Sequence, residues 1–154
     1  MFKWWTLVVG IYIALAVGHY YFGIGQYLLD HDTTYISWVI FGVFTLTTIH
    51  IGKHIHSLSA KRPIYDNEMQ IDWYAAEACM GIGMVGTLIG FLIILSSAFS
   101  NIDVTSVEQM KEVVGNIAAG MGTALLTSLV GLLASLALKL QLVLLENENE
   151  KLRF

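Results

Sequence analysis

Two apolar stretches in the second half of the chain decide its fold. They read Gly83-Met84-Val85-Gly86-Thr87-Leu88-Ile89-Gly90 and Gly120-Met121-Gly122-Thr123-Ala124-Leu125-Leu126-Thr127-Ser128-Leu129-Val130-Gly131. They lie within the blocks 79–99 and 119–138, each close to the roughly 20 apolar residues that a helix needs to cross a bilayer. Neither block contains Asp, Glu, Lys, Arg, His or Pro. The sequence therefore predicts two membrane-spanning helices here.

Two further apolar blocks, 4–22 and 35–52, precede this pair. A polar connector at 30–34 precedes the second block and is too short to be more than a turn, so residues 1–52 are predicted to form a transmembrane hairpin. The composition agrees, because 56% of the residues are hydrophobic and 13% are charged, whereas a soluble domain has about 25% charged residues. The predicted fold class is an all-α integral membrane protein with four transmembrane helices.

The positive charges predict the orientation of these spans. Seven of the eight Lys and Arg residues flank the same side of the membrane if both termini lie in the cytoplasm, and Lys111 is the exception. Cytoplasmic loops carry the excess of Lys and Arg, so the topology is N-in/C-in. As an alternative, Lys3 and the first apolar block could form a signal peptide cleaved near Ala14-Leu15-Ala16, although the apolar run continues to Phe22. Cleavage would leave three spans in the same orientation.

The remaining segments are short. Residues 53–78 form a cytoplasmic connector, with an amphipathic surface helix predicted around Met69, Trp73 and Tyr74. Thr105-Ser106-Val107-Glu108 fits a capping box that starts an external amphipathic helix leading into the fourth span. Nothing breaks the helix after Gly131, so the fourth helix is expected to extend into the cytoplasm. Residues 79–154 would then form a channel core with a helical tail.

Small and hydroxyl-bearing side chains share faces of the last two spans. In lipid, helices associate through small residues and through hydroxyls that bond across the contact. The packing glycines are Gly83, Gly86, Gly90, Gly120 and Gly131, and the hydroxyls are Thr87, Thr123, Thr127, Ser128 and Ser135. One interpretation is tight packing within a single chain, because a hydroxyl can bond its own helix backbone. The other is a polar path for ions, and since neither span has a titratable side chain, another chain would have to supply the carboxylate.

At these residues the chain resembles the MotA/TolQ/ExbB family of ion channels. The paired pattern covers Met80 to Leu138, and the second helix is most similar to the motor subunit of Zorya-type phage-defence systems. The resemblance implies a proton-conducting subunit of a motor or energiser in the bacterial cytoplasmic membrane. It also implies a homopentamer around a dimeric single-span partner, like MotB, TolR or ExbD, that carries a membrane aspartate.

The same resemblance assigns roles to individual residues. Thr87 matches the channel threonine of the first core helix and Ser128 the second channel hydroxyl, while Thr127 and Thr123 extend the polar surface. Some family members have a glutamate at the position of Thr123, so its relay chemistry does not carry over. Four spans resemble the flagellar stator branch, but the 53–78 connector is too short for a rotor-gripping domain.

Other site types are not expected. His50 and His54 are four residues apart with His56 nearby, a spacing that could hold a metal, but no Cys or acidic ligand is close in sequence, so interfacial histidines and no metal site are predicted. His19 is also read as interfacial. No cofactor beyond the transported ion, no enzyme activity and no nucleic-acid partner are predicted. Membrane lipid is an expected partner. The competing functional hypothesis is a passive scaffold or holin-like oligomer whose small residues serve packing alone.

Overall fold

A computed structural model describes residues 2–22, 35–60, 64, 66–99 and 107–153. The described residues form four α-helices: α1 (Phe2–Phe22), α2 (Ile36–Ser59), α3 (Asp66–Phe99) and α4 (Val107–Arg153). Within this part of the chain there are no strands. The all-α prediction is confirmed for these residues.

Three of the helices are long and apolar enough to cross a membrane: Ile36–Leu58, Asn67–Ser96 and Val113–Lys151. α1 contributes a shorter apolar stretch, Trp4–Ala14, among its described residues. The chain is therefore a multi-pass membrane protein with at least three apolar helices of spanning length. The fourth span and the N-in/C-in orientation stay predictions.

The helices are longer than the predicted spans. α2 continues to Ser59, and the expected surface helix around Met69 is the first part of α3, which runs without a break from Asp66 to Phe99. α4 is one helix of 47 residues, as the uninterrupted sequence after Gly131 predicted. Thr105 and Ser106 of the predicted capping box and the 30–34 connector lie outside the described residues.

The core lies where α2, the first half of α3 and the second half of α4 meet. Leu138, Leu142 and Leu145 of α4 are fully buried there, together with Ile40 and Ile51 of α2. These positions are three, four, seven or eleven residues apart within each helix, so they share one face. α1 packs at the edge of this core, where Trp4 and Val8 are buried.

Two polar contacts attach the end of α4 to this core. The Asn149 side chain accepts a hydrogen bond from the Ile64 backbone N–H at 3.1 Å and donates one to the Ile64 carbonyl at 3.3 Å. Gln141 donates to Thr48 of α2 at 3.5 Å. The extension of α4 is thus packed against the α2–α3 connection along one face, while Glu146, Glu148 and Glu150 are exposed on the other.

The second half of α3 and the first half of α4 are different, because they contact each other and leave large apolar side chains uncovered. The exposed side chains include Met84, Val85, Leu88, Leu92, Met121, Leu125 and Leu129. Such a surface is suited to lipid or to neighbouring apolar helices. This uncovered pair of helices contains the predicted ion-pathway residues.

Candidate ion-pathway site

Glycines bring the backbones of α3 and α4 into direct contact. A Cβ atom added at Gly131 would lie 2.6 Å from the Cys79 carbonyl oxygen and 2.9 Å from Gly83 Cα. A Cβ at Gly83 would lie 2.9 Å from the Thr127 carbonyl oxygen. Carbon contacts are favourable only at about 3.5 to 4.0 Å, so neither position accommodates a side chain without separating the helices.

The other three predicted packing glycines extend this contact. A Cβ at Gly86 would meet Thr127 Oγ1 at 3.0 Å, and one at Gly90 would meet Ala124 Cβ at 3.0 Å. At Gly120 the nearest atom is Ile94 Cγ1, at 2.6 Å. All five glycines therefore lie between α3 and α4 of one chain.

Three hydroxyls converge on the Gly83 carbonyl at this contact, and we call Thr87, Thr127 and Ser128 the hydroxyl cluster. Thr87 and Ser128 are hydrogen-bonded to each other across the two helices. Thr87 Oγ1 lies 3.1 Å from the Gly83 carbonyl oxygen and Ser128 Oγ lies 3.2 Å from it. The missing side chain at Gly83 is what allows Ser128 of the facing helix to reach this oxygen.

The members of the cluster differ in accessibility. Thr127 is 3% exposed and donates to the Ala124 carbonyl at 2.8 Å, with the Gly83 carbonyl oxygen 3.5 Å away. Thr87 and Ser128 are only partly buried. The Thr87–Ser128 pair is therefore the part of the cluster that a group outside the chain can approach.

A hydroxyl pair can exchange hydrogen bonds but cannot change its charge near neutral pH. Each hydroxyl is one donor and two acceptors, so the pair can accept a hydrogen bond from a neutral carboxyl group or donate one to a carboxylate. No titratable side chain occurs from Met80 to Phe99 or from Gly120 to Leu138. The site can thus guide a proton carried by another group, but it has no carrier of its own.

These core helices are matched by a family model. The model of the MotA/TolQ/ExbB proton channel family matches residues 56–153, well over half of the chain. The chain belongs to the MotA/TolQ/ExbB proton channel family. No curated protein and no solved structure matches the chain.

Family membership confirms the resemblance drawn from the glycine and hydroxyl pattern. The match is wider than Met80 to Leu138, because it begins in the last turn of α2 and continues to the end of α4. The MotA/TolQ/ExbB family comprises channel subunits of ion-driven energisers and not catalytic enzymes. The Zorya-type similarity of the second core helix stays a prediction.

The structure brings together Thr87, Thr127 and Ser128, three of the four predicted ion-pathway residues. Thr123 lies one turn before Thr127 on α4, and its side chain is outside the described part of the structure, as is that of His19 on α1. The extension of the polar surface to Thr123 is therefore still a prediction.

The histidines of α2 have a partner that the sequence analysis missed. His50 Nδ1 lies 2.8 Å from Asp72 Oδ1 on α3, and His54 also faces Asp72, whereas the exposed His56 lines a cavity beside Trp4. A signal for this partner was present in the sequence. Asp72 falls on the three- and four-residue spacing that also contains the buried α3 positions 69, 76, 79, 83 and 86, so an inward-facing carboxylate was predictable.

Proposed function

We propose that this chain is the proton-conducting subunit of a membrane motor or energiser, which couples ion flow to mechanical work through a single-span partner. The observation that carries the proposal is the partly exposed Thr87–Ser128 pair, bonded across the two core helices of a proton channel family member. Its partner would be a dimer of the MotB, TolR or ExbD type with an aspartate in its helix.

In the proposed mechanism the hydroxyl pair meets this aspartate in both of its protonation states. A charged Asp at the centre of a bilayer costs roughly 2.5 to 3.5 kcal/mol on insertion scales, so the neutral acid is favoured wherever the carboxyl has no polar contact. Opposite Thr87 and Ser128 the carboxylate would receive hydrogen bonds from two hydroxyls, which stabilises the charged form. Loss and recovery of one proton would thus follow the position of the aspartate relative to each subunit.

The proposed assembly follows the family resemblance. Five copies of the chain would surround the partner dimer in the bacterial cytoplasmic membrane, each with four spans and both termini in the cytoplasm. The large apolar side chains exposed on α3 and α4, among them Leu88 and Leu125, support contacts with neighbouring subunits, the partner helix or lipid. Rotation of one ring against the other would accompany ion passage.

The test removes both hydroxyls and retains the side-chain shape. The variant carries Thr87→Val and Ser128→Ala, and the control is Thr45→Val, which removes an exposed hydroxyl on α2 that bonds only its own helix backbone at Phe41. Proton flux is measured with a pH-sensitive dye in membrane vesicles that hold the native complex. We expect at least a tenfold loss of flux in the double variant and none in the control.

Assembly is measured on the same samples by native mass spectrometry. We expect five copies of this chain with two copies of a single-span protein, in the double variant as in the wild type. Normal flux in the double variant, or the absence of a single-span partner from the native complex, would contradict the proposal.

A passive membrane scaffold is the second candidate function. It is favoured by the observation that every hydroxyl of the cluster has an acceptor within the chain, as packing alone requires. A scaffold would give a homo-oligomer with no partner chain, and its ion flux would be the same with and without the two hydroxyls.

A further inference from the structure

A second polar cluster lies far from the hydroxyl cluster, where the last turns of α2 meet the first turns of α3. It contains His50, His54 and Asp72, and one ligand atom from each of the three side chains lies within 4.8 Å of the others. Asp72 is 15 residues before Thr87 on α3, which places it roughly 22 Å away along the helix. No step of the proposed ion pathway uses these residues.

Two atoms of this cluster are buried without a hydrogen bond. Asp72 is 2% exposed, and its Oδ2 atom has no hydrogen-bond partner among the described residues. His54 Nε2 is likewise buried without one, and it lies 3.7 Å from Asp72 Oδ2. This separation is too long for a hydrogen bond. Burying a carboxylate oxygen without a hydrogen bond costs free energy. A ligand bound between Asp72 Oδ2 and His54 Nε2 would remove this cost.

We infer that His50, His54 and Asp72 bind one divalent transition-metal ion of the zinc class. Zinc bonds to histidine nitrogen and carboxylate oxygen are about 2.0 to 2.2 Å long, which places neighbouring ligands of a tetrahedral ion roughly 3.3 Å apart. The 3.7 Å between His54 Nε2 and Asp72 Oδ2 and the 2.8 Å between His50 Nδ1 and Asp72 Oδ1 lie on either side of this value. Small rotations of the three side chains are enough to bring both distances to the roughly 3.3 Å expected between ligands of one ion.

The ligand types select the class of ion. Two imidazoles and one carboxylate suit zinc and its neighbours in the transition series, whereas Mg²⁺ and Ca²⁺ prefer sets of oxygen ligands. The His50 side chain is 46% exposed, so an ion can reach the cluster from outside the chain, and a water molecule would complete its coordination. The proposed ion differs from the transported ion both in its ligands and in its position.

A further carboxylate lies near His54. Glu68 Oε2 is 3.9 Å from His54 Nδ1, the ring nitrogen that does not face Asp72. Histidines that bind metals commonly direct their other nitrogen at a carboxylate, which fixes the ring and increases its basicity. Glu68 would take this role once a small side-chain rotation brings it within hydrogen-bond distance, and the bound ion would join α2 to α3.

The test measures zinc binding directly. The full chain is purified in detergent, treated with a chelator and titrated with ZnCl₂ by calorimetry, and with CoCl₂ while visible absorption reports the coordination geometry. We expect one zinc ion per chain, and Co²⁺ bands of tetrahedral intensity that zinc abolishes. MgCl₂ and CaCl₂ at the same concentrations should give no binding signal.

Matched variants assign the ligands. Asp72→Asn and His50→Gln should each weaken zinc binding by at least tenfold, while His56→Gln, which changes an exposed histidine of the same helix outside the cluster, should bind zinc as the wild type does. Circular dichroism confirms folding, and the half-exposed His50 provides a tolerant second variant if Asp72→Asn does not fold. Zinc binding that is absent in the wild type, or equal in His50→Gln and the wild type, would overturn the inference.

Discussion

The substitution Gly131→Ala tests whether direct backbone contact holds α3 against α4. The new Cβ would lie 2.6 Å from the Cys79 carbonyl oxygen and 2.9 Å from Gly83 Cα. Both atoms belong to the backbone of α3, so no side chain can rotate away. Contacts become favourable at about 3.5 Å, which requires the helices to separate locally by roughly 1 Å. Overpacking of this kind costs about 1 to 3 kcal/mol.

A control removes the effect of helix propensity from this measurement. Gly→Ala in a helix stabilises by up to about 1 kcal/mol, and this gain also applies to Gly122→Ala and Gly81→Ala, where an added Cβ meets nothing within 4 Å. The difference between Gly131→Ala and these controls therefore isolates the contact. We expect Gly131→Ala to be less stable than either control by about 1 to 3 kcal/mol.

The assay is unfolding in mixed detergent micelles, followed by circular dichroism at increasing denaturant. Because Ser128 reaches the Gly83 carbonyl only while the helices touch, Gly131→Ala should also reduce proton flux in vesicles. Equal stability of Gly131→Ala and the controls would refute the view that the two backbones are in contact.

Two further substitutions test the core around the second half of α4. Asn149→Ala leaves the buried N–H and C=O of Ile64 without partners and should cost about 2 to 4 kcal/mol, whereas the exposed Asn147→Ala should be neutral in the same unfolding assay. Leu145→Ala at a fully buried position should cost about 2 to 5 kcal/mol, and Leu140→Ala, at a 51% exposed position, should change stability far less. A loss at Asn147 as large as at Asn149, or at Leu140 as large as at Leu145, would contradict the packing described.

The sequence was sufficient to predict the α3–α4 contact because small residues in an apolar span have few other uses. Gly83 and Gly131 mark the position of closest approach, and the hydroxyls beside them bond backbone carbonyls of their own helix or of the facing helix. The small residues that form the sequence pattern within each helix are therefore the same residues that form the contact between α3 and α4. The assignment of Thr87 and Ser128 as channel residues depended on the family resemblance, and their contact was not predicted, because spacing within each helix does not fix the register between two helices.

The contacts at the other end of the bundle were not predictable in the same way. Asp72 and His50 are 22 residues apart and on different helices, so their spacing in sequence gave no sign of the contact between them. The helices also continue beyond the predicted spans. Hydropathy defines the lipid-spanning part of a helix, whereas Asp66–Tyr74 continues α3 through polar sequence because its inner face is buried by α2 and α4.

The two halves of α3 are therefore held by different forces, and this determines where a partner can act. The first half is fixed by buried apolar side chains and polar anchors, including Asp72 against His50 and Asn149 against Ile64. The second half is fixed to α4 by glycine contacts and by the hydroxyl cluster, and it leaves Leu88 and Leu92 uncovered. A neighbouring helix gains most by covering the second half, which is also where Thr87 and Ser128 are accessible. Since the first half is packed within the chain, the proposed partner could exchange hydrogen bonds with the hydroxyl pair while the subunit keeps its fold.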